Sequence, residues 1–297
     1  MVLKTINIGG LMKKITFLLS IVLAVLLVLP INLKAQDDEP DNRPVREPFS
    51  GSLLADQQTI MSPYKGGLEL IIHHRFGTMQ NGLKDLYGIY APSNIRLGLN
   101  YGITEKLMVG FGMEKNNKLQ EFQAKYAILQ QTRSGSMPVS LSYYVNMAID
   151  ARNEEVFGVN YSFTNRFSFF HQLIVARKFN DRLSVQVAPS YAHFNAVDSI
   201  WHNDYFGISA GARFKVFGEF SIIAEYDQSF SYKTQLNYQE APKPNLVFGF
   251  EVGTSTHTFQ MFAANFNKIT PQKNLAANLN DFTKGEILIG MNVIVRF

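Results

Sequence analysis

Three pairs of residues have types that could do chemistry. Ser168 with His171, and Ser190 with His193, offer the hydroxyl and imidazole that nucleophilic acyl transfer needs within hydrogen-bond reach. His73 and His74 offer imidazoles of the kind that bind zinc. All three fail on parity, because strand neighbours an odd number of residues apart project to opposite faces. His171 and His193 come from neighbouring predicted strands and can approach at a rim, where a metal site competes with ordinary hydrogen-bonded histidines. Trp201 and His202 sit in a predicted outer loop, where a ligand contact is conceivable but nothing in the sequence supports one. The sequence has no Gly-rich phosphate loop, no carboxylate pair at catalytic spacing and no basic aromatic patch for nucleic acid. No cofactor, metal or catalysis is expected; a lipid hydrolase is the weakest of the function classes.

A second group of candidates consists of charges spaced along one face. Arg75, Arg96, Glu114, Lys125, Arg213, Glu225, Glu251, Glu286 and Arg296 alternate with apolar neighbours. So do Glu69, Lys215 and Asp227, with Asn100, Gln123, Gln186 and Asn292 among them. Behind an apolar face in lipid, such charges must pair or meet water. Paired, they fill a closed interior; hydrated, they line a pore.

The elements that must position them have a period of two. Ile95, Leu97, Leu99, Tyr101 and Ile103 oppose Arg96, Gly98, Asn100 and Gly102; Ile287 to Phe297 alternates in the same way. Twelve such segments are expected, near 67–76, 94–103, 107–114, 119–129, 137–148, 166–178, 182–192, 205–217, 219–228, 245–254, 257–266 and 286–297. Alternation over Val156–Phe163 would raise the count to fourteen. Short links near 104–106, 134–136, 180–181, 218 and 255–256 are interleaved with links that, apart from 115–118, are long. That arrangement predicts a transmembrane, antiparallel, up-and-down all-β barrel with both termini on the short-turn, periplasmic side. A soluble β-sandwich also alternates, but its strands are shorter than the roughly nine to eleven residues a tilted membrane strand needs. Aromatic residues are abundant (24 Phe, 13 Tyr) and concentrate on the apolar face, as an interfacial girdle requires.

Outside residues 67–297, the chain reads as an address and a connector. Residues 1–35 form a secretory signal, with lysines 13 and 14, an apolar run from Ile15 to Leu29 and a cut after Ala35; Met12 is the better start. The signal carries four of the 28 basic residues and no acid, so the remaining chain has 24 of each and the net charge of +4 belongs to the signal. Residues 36–50 are acidic and Pro-rich and are expected to be a flexible periplasmic tether. Residues 51–66 include Leu53, Leu54, Ile60 and Met61, apolar enough to insert into or cap the periplasmic mouth. Inward glycines at 98, 102, 110, 112, 207, 211, 249, 253 and 290 leave space beside the wall. With no cysteine, disulfide scaffolds, thiolate metal sites and lipoprotein anchors are excluded.

Several stretches resemble one family: Lys65-Gly66-Gly67-Leu68-Glu69-Leu70, His74-Arg75-Phe76-Gly77, Leu97 to Ile103, His171 to Phe179, Pro189 to His193 and Gly290-Met291-Asn292. Over about residues 50–297 the chain resembles an outer-membrane β-barrel family of Bacteroidota that carries only an unknown-function label. It has Ala264-Asn265-Phe266 where that family more often has Thr-Asn-Ser. The resemblance implies a barrel in a bacterial outer membrane and no activity. Chain-terminal Phe297 resembles the signal read by the barrel assembly machinery. The expected role is passive, porin-like passage of a small solute. The alternative is a closed structural or scaffold barrel supporting an envelope complex. Expected partners are outer-membrane lipid, the assembly machinery and a periplasmic protein, with no nucleic acid.

Overall fold

A computed structural model describes residues 40–198, 201–230 and 241–297. The secretory signal lies outside the described residues. Residues Asn42 to Phe297 form one compact unit.

Twelve of its strands close a barrel: β3 (Leu68–Thr78), β4 (Asn94–Gly102), β5 (Leu107–Glu114), β6 (Leu119–Leu129), β7 (Ser140–Asp150), β8 (Phe167–Lys178), β9 (Leu183–Phe194), β10 (Asp204–Phe217), β11 (Phe220–Phe230), β12 (Asn245–Gly253), β13 (His257–Ala264) and β14 (Leu288–Arg296). Each pairs antiparallel with its chain neighbours, and β14 closes on β3 from Arg296↔Glu69 to Leu288↔Thr78. Phe297 completes the seam, exchanging backbone hydrogen bonds with Leu68 while its ring stays exposed. The count is twelve, not fourteen. Residues 156–163 run from the end of one 3-10 turn, Glu154–Phe157, into the start of a second, Phe163–Arg166, and pair with no strand.

Alternation sorts side chains by face, inverted relative to a protein folded in water. On β4, Leu97, Leu99 and Tyr101 are 43, 42 and 43 % exposed, whereas Arg96 is 4 % and Asn100 0 % exposed. Phe122, Phe206, Phe214, Phe248, Phe250 and Phe259 continue that apolar exterior. A continuous exposed apolar surface needs lipid against it. On β8, where three phenylalanines obscure the pattern, Phe170 points inward and Phe167 and Phe169 outward.

Two segments that are not part of the wall fill the interior. From the short-turn end enter residues 49–61, folded as a two-rung hairpin of β1 (Leu53–Leu54) and β2 (Gln57–Gln58). Thr59 ties it off, its N–H donating to Ser52 O and its hydroxyl to Gly51 O. Phe49, Leu54 and Ala55 pack on the inward-facing Ile223, Val247, Phe262 and Leu288. From the opposite end, the 265–287 link folds inward and carries the six-residue helix α1 (Pro271–Ala276), with Pro271 at its first turn. Leu275 and Ala276 pack against Tyr144, Phe170, Ala192, Phe194 and Tyr205. Asn265 fastens the link to β12, accepting from Leu246 N and donating to Pro244 O and Asn280 O.

The expected tether is ordered over part of its length. Pro44 bridges Thr132, Val45 N donates to Gln131 O, and Asn42 accepts from the hydroxyls of Ser134 and Ser136. Pro48 and Phe49 are already buried. Backbone and hydroxyl groups of the β6–β7 turn supply the partners that an isolated acidic segment lacks.

Candidate functional site

Polar side chains on the wall and polar groups of the two inserted segments meet in the lumen in three layers. At the short-turn end, Glu251 accepts from Arg213 Nε at 2.6 Å, Ser50 Oγ at 2.5 Å and Gln260 Nε2 at 2.8 Å. Glu69 accepts from the Ser52 hydroxyl and from Asn100 Nδ2 at 3.2 Å, with Arg296 Nε at 3.5 Å. In the middle, Arg75 pairs with Asp56 of the inserted hairpin at 2.8 Å and donates to Asn292 Oδ1 at 3.0 Å. Its guanidinium lies 4.6 Å from the centre of the Phe262 ring. Glu225 accepts from the backbone N–H groups of Asp56 and Gln57, both at 3.2 Å, and Asp227 accepts from Gln57 Nε2 at 3.1 Å. Lys125 donates to Thr59 O at 2.9 Å and to Gln58 Oε1 at 3.3 Å.

Towards the long-loop end, Arg96 pairs with Glu121 at 2.6 Å. Glu114 accepts from Asn94 Nδ2 and Thr270 N, both at 2.6 Å, and from the Thr270 hydroxyl. Gln272 of α1 donates to Asn146 Oδ1 at 2.8 Å.

Eight of the nine charged candidates therefore face the interior: Arg75, Arg96, Glu114, Lys125, Arg213, Glu225 and Glu251 are buried, and Arg296 sits at the short-turn rim. Glu286 is the exception. It precedes β14 in a loop, half-buried, and accepts from Asp281 N at 2.6 Å. The turn ending at Gly285 (φ 73) breaks the alternation before pairing begins at Leu288. Sequence reasoning missed Glu121, which shares the parity of Gln123 and Lys125 and could have been found by it. It also missed Asp56, Thr270 and Gln272, which no periodicity marks.

The filling divides the lumen. A cavity of about 680 Å³ opens at the short-turn end among Arg46, Glu69, Lys178, Arg213 and Arg296, and one of about 570 Å³ opens at the long-loop end. Between them, a cavity of about 40 Å³ lies beside Asp56, His73, Arg96 and Asp227. Inward glycines make the insertion fit. A Cβ on Gly211 would lie 2.6 Å from Gln57 Oε1 and 3.0 Å from Leu54 Cδ2, and one on Gly207 would strike Leu275. Gly207→Val is expected to push α1 outward and lower stability by about 1–3 kcal/mol, measured by urea unfolding in detergent; unchanged stability would show that α1 does not need this close approach.

The histidines and serines do not assemble a catalytic pair. Ser168 and Ser190 face inward, whereas His171 and His193 face outward. His171 Nδ1 lies 2.8 Å from the Tyr143 hydroxyl, and His193 Nδ1 lies 2.8 Å from Asp204, which also accepts from Tyr191 OH at 2.5 Å. Both histidines lie on barrel strands and point away from Ser168 and Ser190.

A closed antiparallel barrel with a lipid-matched exterior and a polar lumen defines a membrane-bound β-barrel protein. The chain belongs to the family of unknown function described as "membrane bound beta barrel domain", matched over residues 49–297. No curated protein sequence matches it. Among solved structures it is similar to the NanC porin (8 % identity, TM-score 0.46, covering 77 % of this chain and 98 % of that one). It is also similar to an outer membrane channel from Pseudomonas putida F1 (11 %, 0.47, 79 % and 96 %) and to LpxR from Salmonella typhimurium (12 %, 0.38, 77 % and 99 %). At TM-scores below 0.5, none of these likenesses bears on pore size, ligand or chemistry.

Proposed function

We propose that the protein is a non-enzymatic outer-membrane channel held shut by its own N-terminal segment, which passes small polar solutes when residues 49–61 withdraw. Both termini face the periplasm in this reading, and Phe297 ends the strand engaged during barrel assembly. The observation that carries the proposal is the polar interface between hairpin and wall. Glu225 takes two backbone N–H groups from the hairpin, Asp227 takes a side-chain amide, Lys125 holds a hairpin carbonyl and Arg75 holds Asp56. Every one of these groups can exchange its partner for water, so the wall can exist hydrated once the hairpin leaves.

A second reading has support of its own. Arg96–Glu121 and Arg213–Glu251 pair wall to wall, as a permanently closed scaffold barrel requires. Planar-bilayer recording separates the two. The full chain is expected to show only rare openings, and a variant lacking residues 42–64 steady conductance. A folded deletion variant that stays silent would favour the scaffold.

A further inference from the structure

The long-loop vestibule is open to solvent whether or not the hairpin is in place, so what it binds is independent of the channel reading. Its volume of about 570 Å³ falls in the range of small-molecule sites. Three aromatic rings form one side. Phe194 and Tyr205 meet edge to face at 6.1 Å, and Trp201 packs on the same cluster. On the floor, Lys273 of α1 places its ammonium 4.8 Å from the centre of the Phe194 ring. No carboxylate lies within ion-pair distance of it among the described residues. Burial pushes its ammonium below the ordinary lysine range.

The other two cations of the vestibule are already engaged. Arg152 holds Asp150 in a bidentate pair at 2.6 and 2.9 Å. Arg166 donates to the backbone oxygens of Asp150 and Arg152 and lies over the Phe157 and Tyr161 rings. The acids Glu155 and Asp198 are exposed at the rim. The vestibule thus offers the half-buried Trp201 ring, a partly buried cation that makes no ion pair among the described residues, and hydrogen-bond acceptors above.

We propose that this vestibule binds an acidic saccharide. The carboxylate sits on Lys273, the C–H face of the pyranose ring lies against the half-buried Trp201, and the hydroxyls donate to Glu155 and Asp198. A docked carboxylate supplies the direct ion pair that Lys273 does not make among the described residues, and the bond is charge-assisted. A neutral sugar keeps the stacking and loses that bond.

Trp201 is the sole tryptophan of the chain, so its fluorescence reads the site directly. The probes are D-glucuronate and D-glucose, titrated into the full-length protein in detergent micelles. Glucuronate is expected to shift the emission saturably and to bind about tenfold more tightly than glucose. Lys273→Met abolishes the preference and Lys273→Arg retains it, with heat-modifiable migration in electrophoresis confirming that each variant is folded. If Lys273→Met does not fold, calorimetric titration of Trp201→Phe serves instead, and binding weaker than wild type is expected. Equal affinity for the two sugars, no response to either, or a glucuronate preference that survives in folded Lys273→Met would overturn the proposal.

Discussion

Arg75→Met is expected to convert the quiet barrel into one that opens readily. Arg75 is fully buried and is the cation that holds Asp56. Methionine keeps much of the apolar volume against Phe262 but leaves Asp56 beside the carboxylates of Glu225 and Asp227, to whose strand its hairpin is bound. Removing one partner of a buried ion pair costs about 3–5 kcal/mol. Most of that cost disappears if the hairpin carries Asp56 out into water. The open probability in bilayer recordings should therefore rise by about two orders of magnitude. Arg75→Met combined with Asp56→Asn should return most of the way to the closed state, because no uncompensated charge is left at Asp56. A double variant that opens as freely as Arg75→Met alone would show that the wall, not the latch, had been damaged.

The second large effect concerns the wall itself. Arg96 and Glu121 are 4 % and 0 % exposed and pair at 2.6 Å across β4 and β6. Arg96→Met leaves Glu121 with Asn146 Nδ2 at 2.8 Å and the Thr270 hydroxyl at 3.2 Å, but without a cation. The expected loss is about 3–5 kcal/mol of stability, read by urea unfolding in micelles. Arg96→Met with Glu121→Leu should recover most of it, since replacing both charges by apolar groups is often neutral. Conductance should change little in either variant, because neither residue holds the N-terminal hairpin. A single variant as stable as wild type would show that this pair contributes nothing net.

What could be read from the sequence followed from parity. A strand in lipid has no freedom over which side chains face outward, so a twelve-strand closed barrel and an inward Arg75 or Glu251 are direct consequences of alternation. The errors arose where parity no longer applies. Extending the β14 pattern backwards puts Glu286 on the wall, but the turn ending at Gly285 breaks that pattern. Residues 156–163 alternate without a strand to pair with. The hairpin at 49–61 shows itself only as apolar residues needing burial, and its polar partners lie up to 246 residues away, beyond any local pattern. The inward turn of α1 gave no comparable signal, and with it went the division of the lumen into two vestibules. Whether the interior is open or filled depends on these segments and not on the wall.

That filling is best tested by fixing it in place. The natural chain has no cysteine, so two introduced thiols have only each other to react with. A Cβ built on Gly253 of β12 falls 2.9 Å from Ser50 Cβ, close enough for a disulfide after a small backbone shift, since bridged Cβ atoms are typically about 3.5–4.5 Å apart. Ser50→Cys with Gly253→Cys, introduced into the Arg75→Met background, pins the base of the hairpin to the wall. Single-channel recording is expected to find the oxidised protein shut and the same protein conducting once dithiothreitol is added. Equal conductance before and after reduction, with the cross-link verified, would contradict an N-terminal segment that must move for the channel to open.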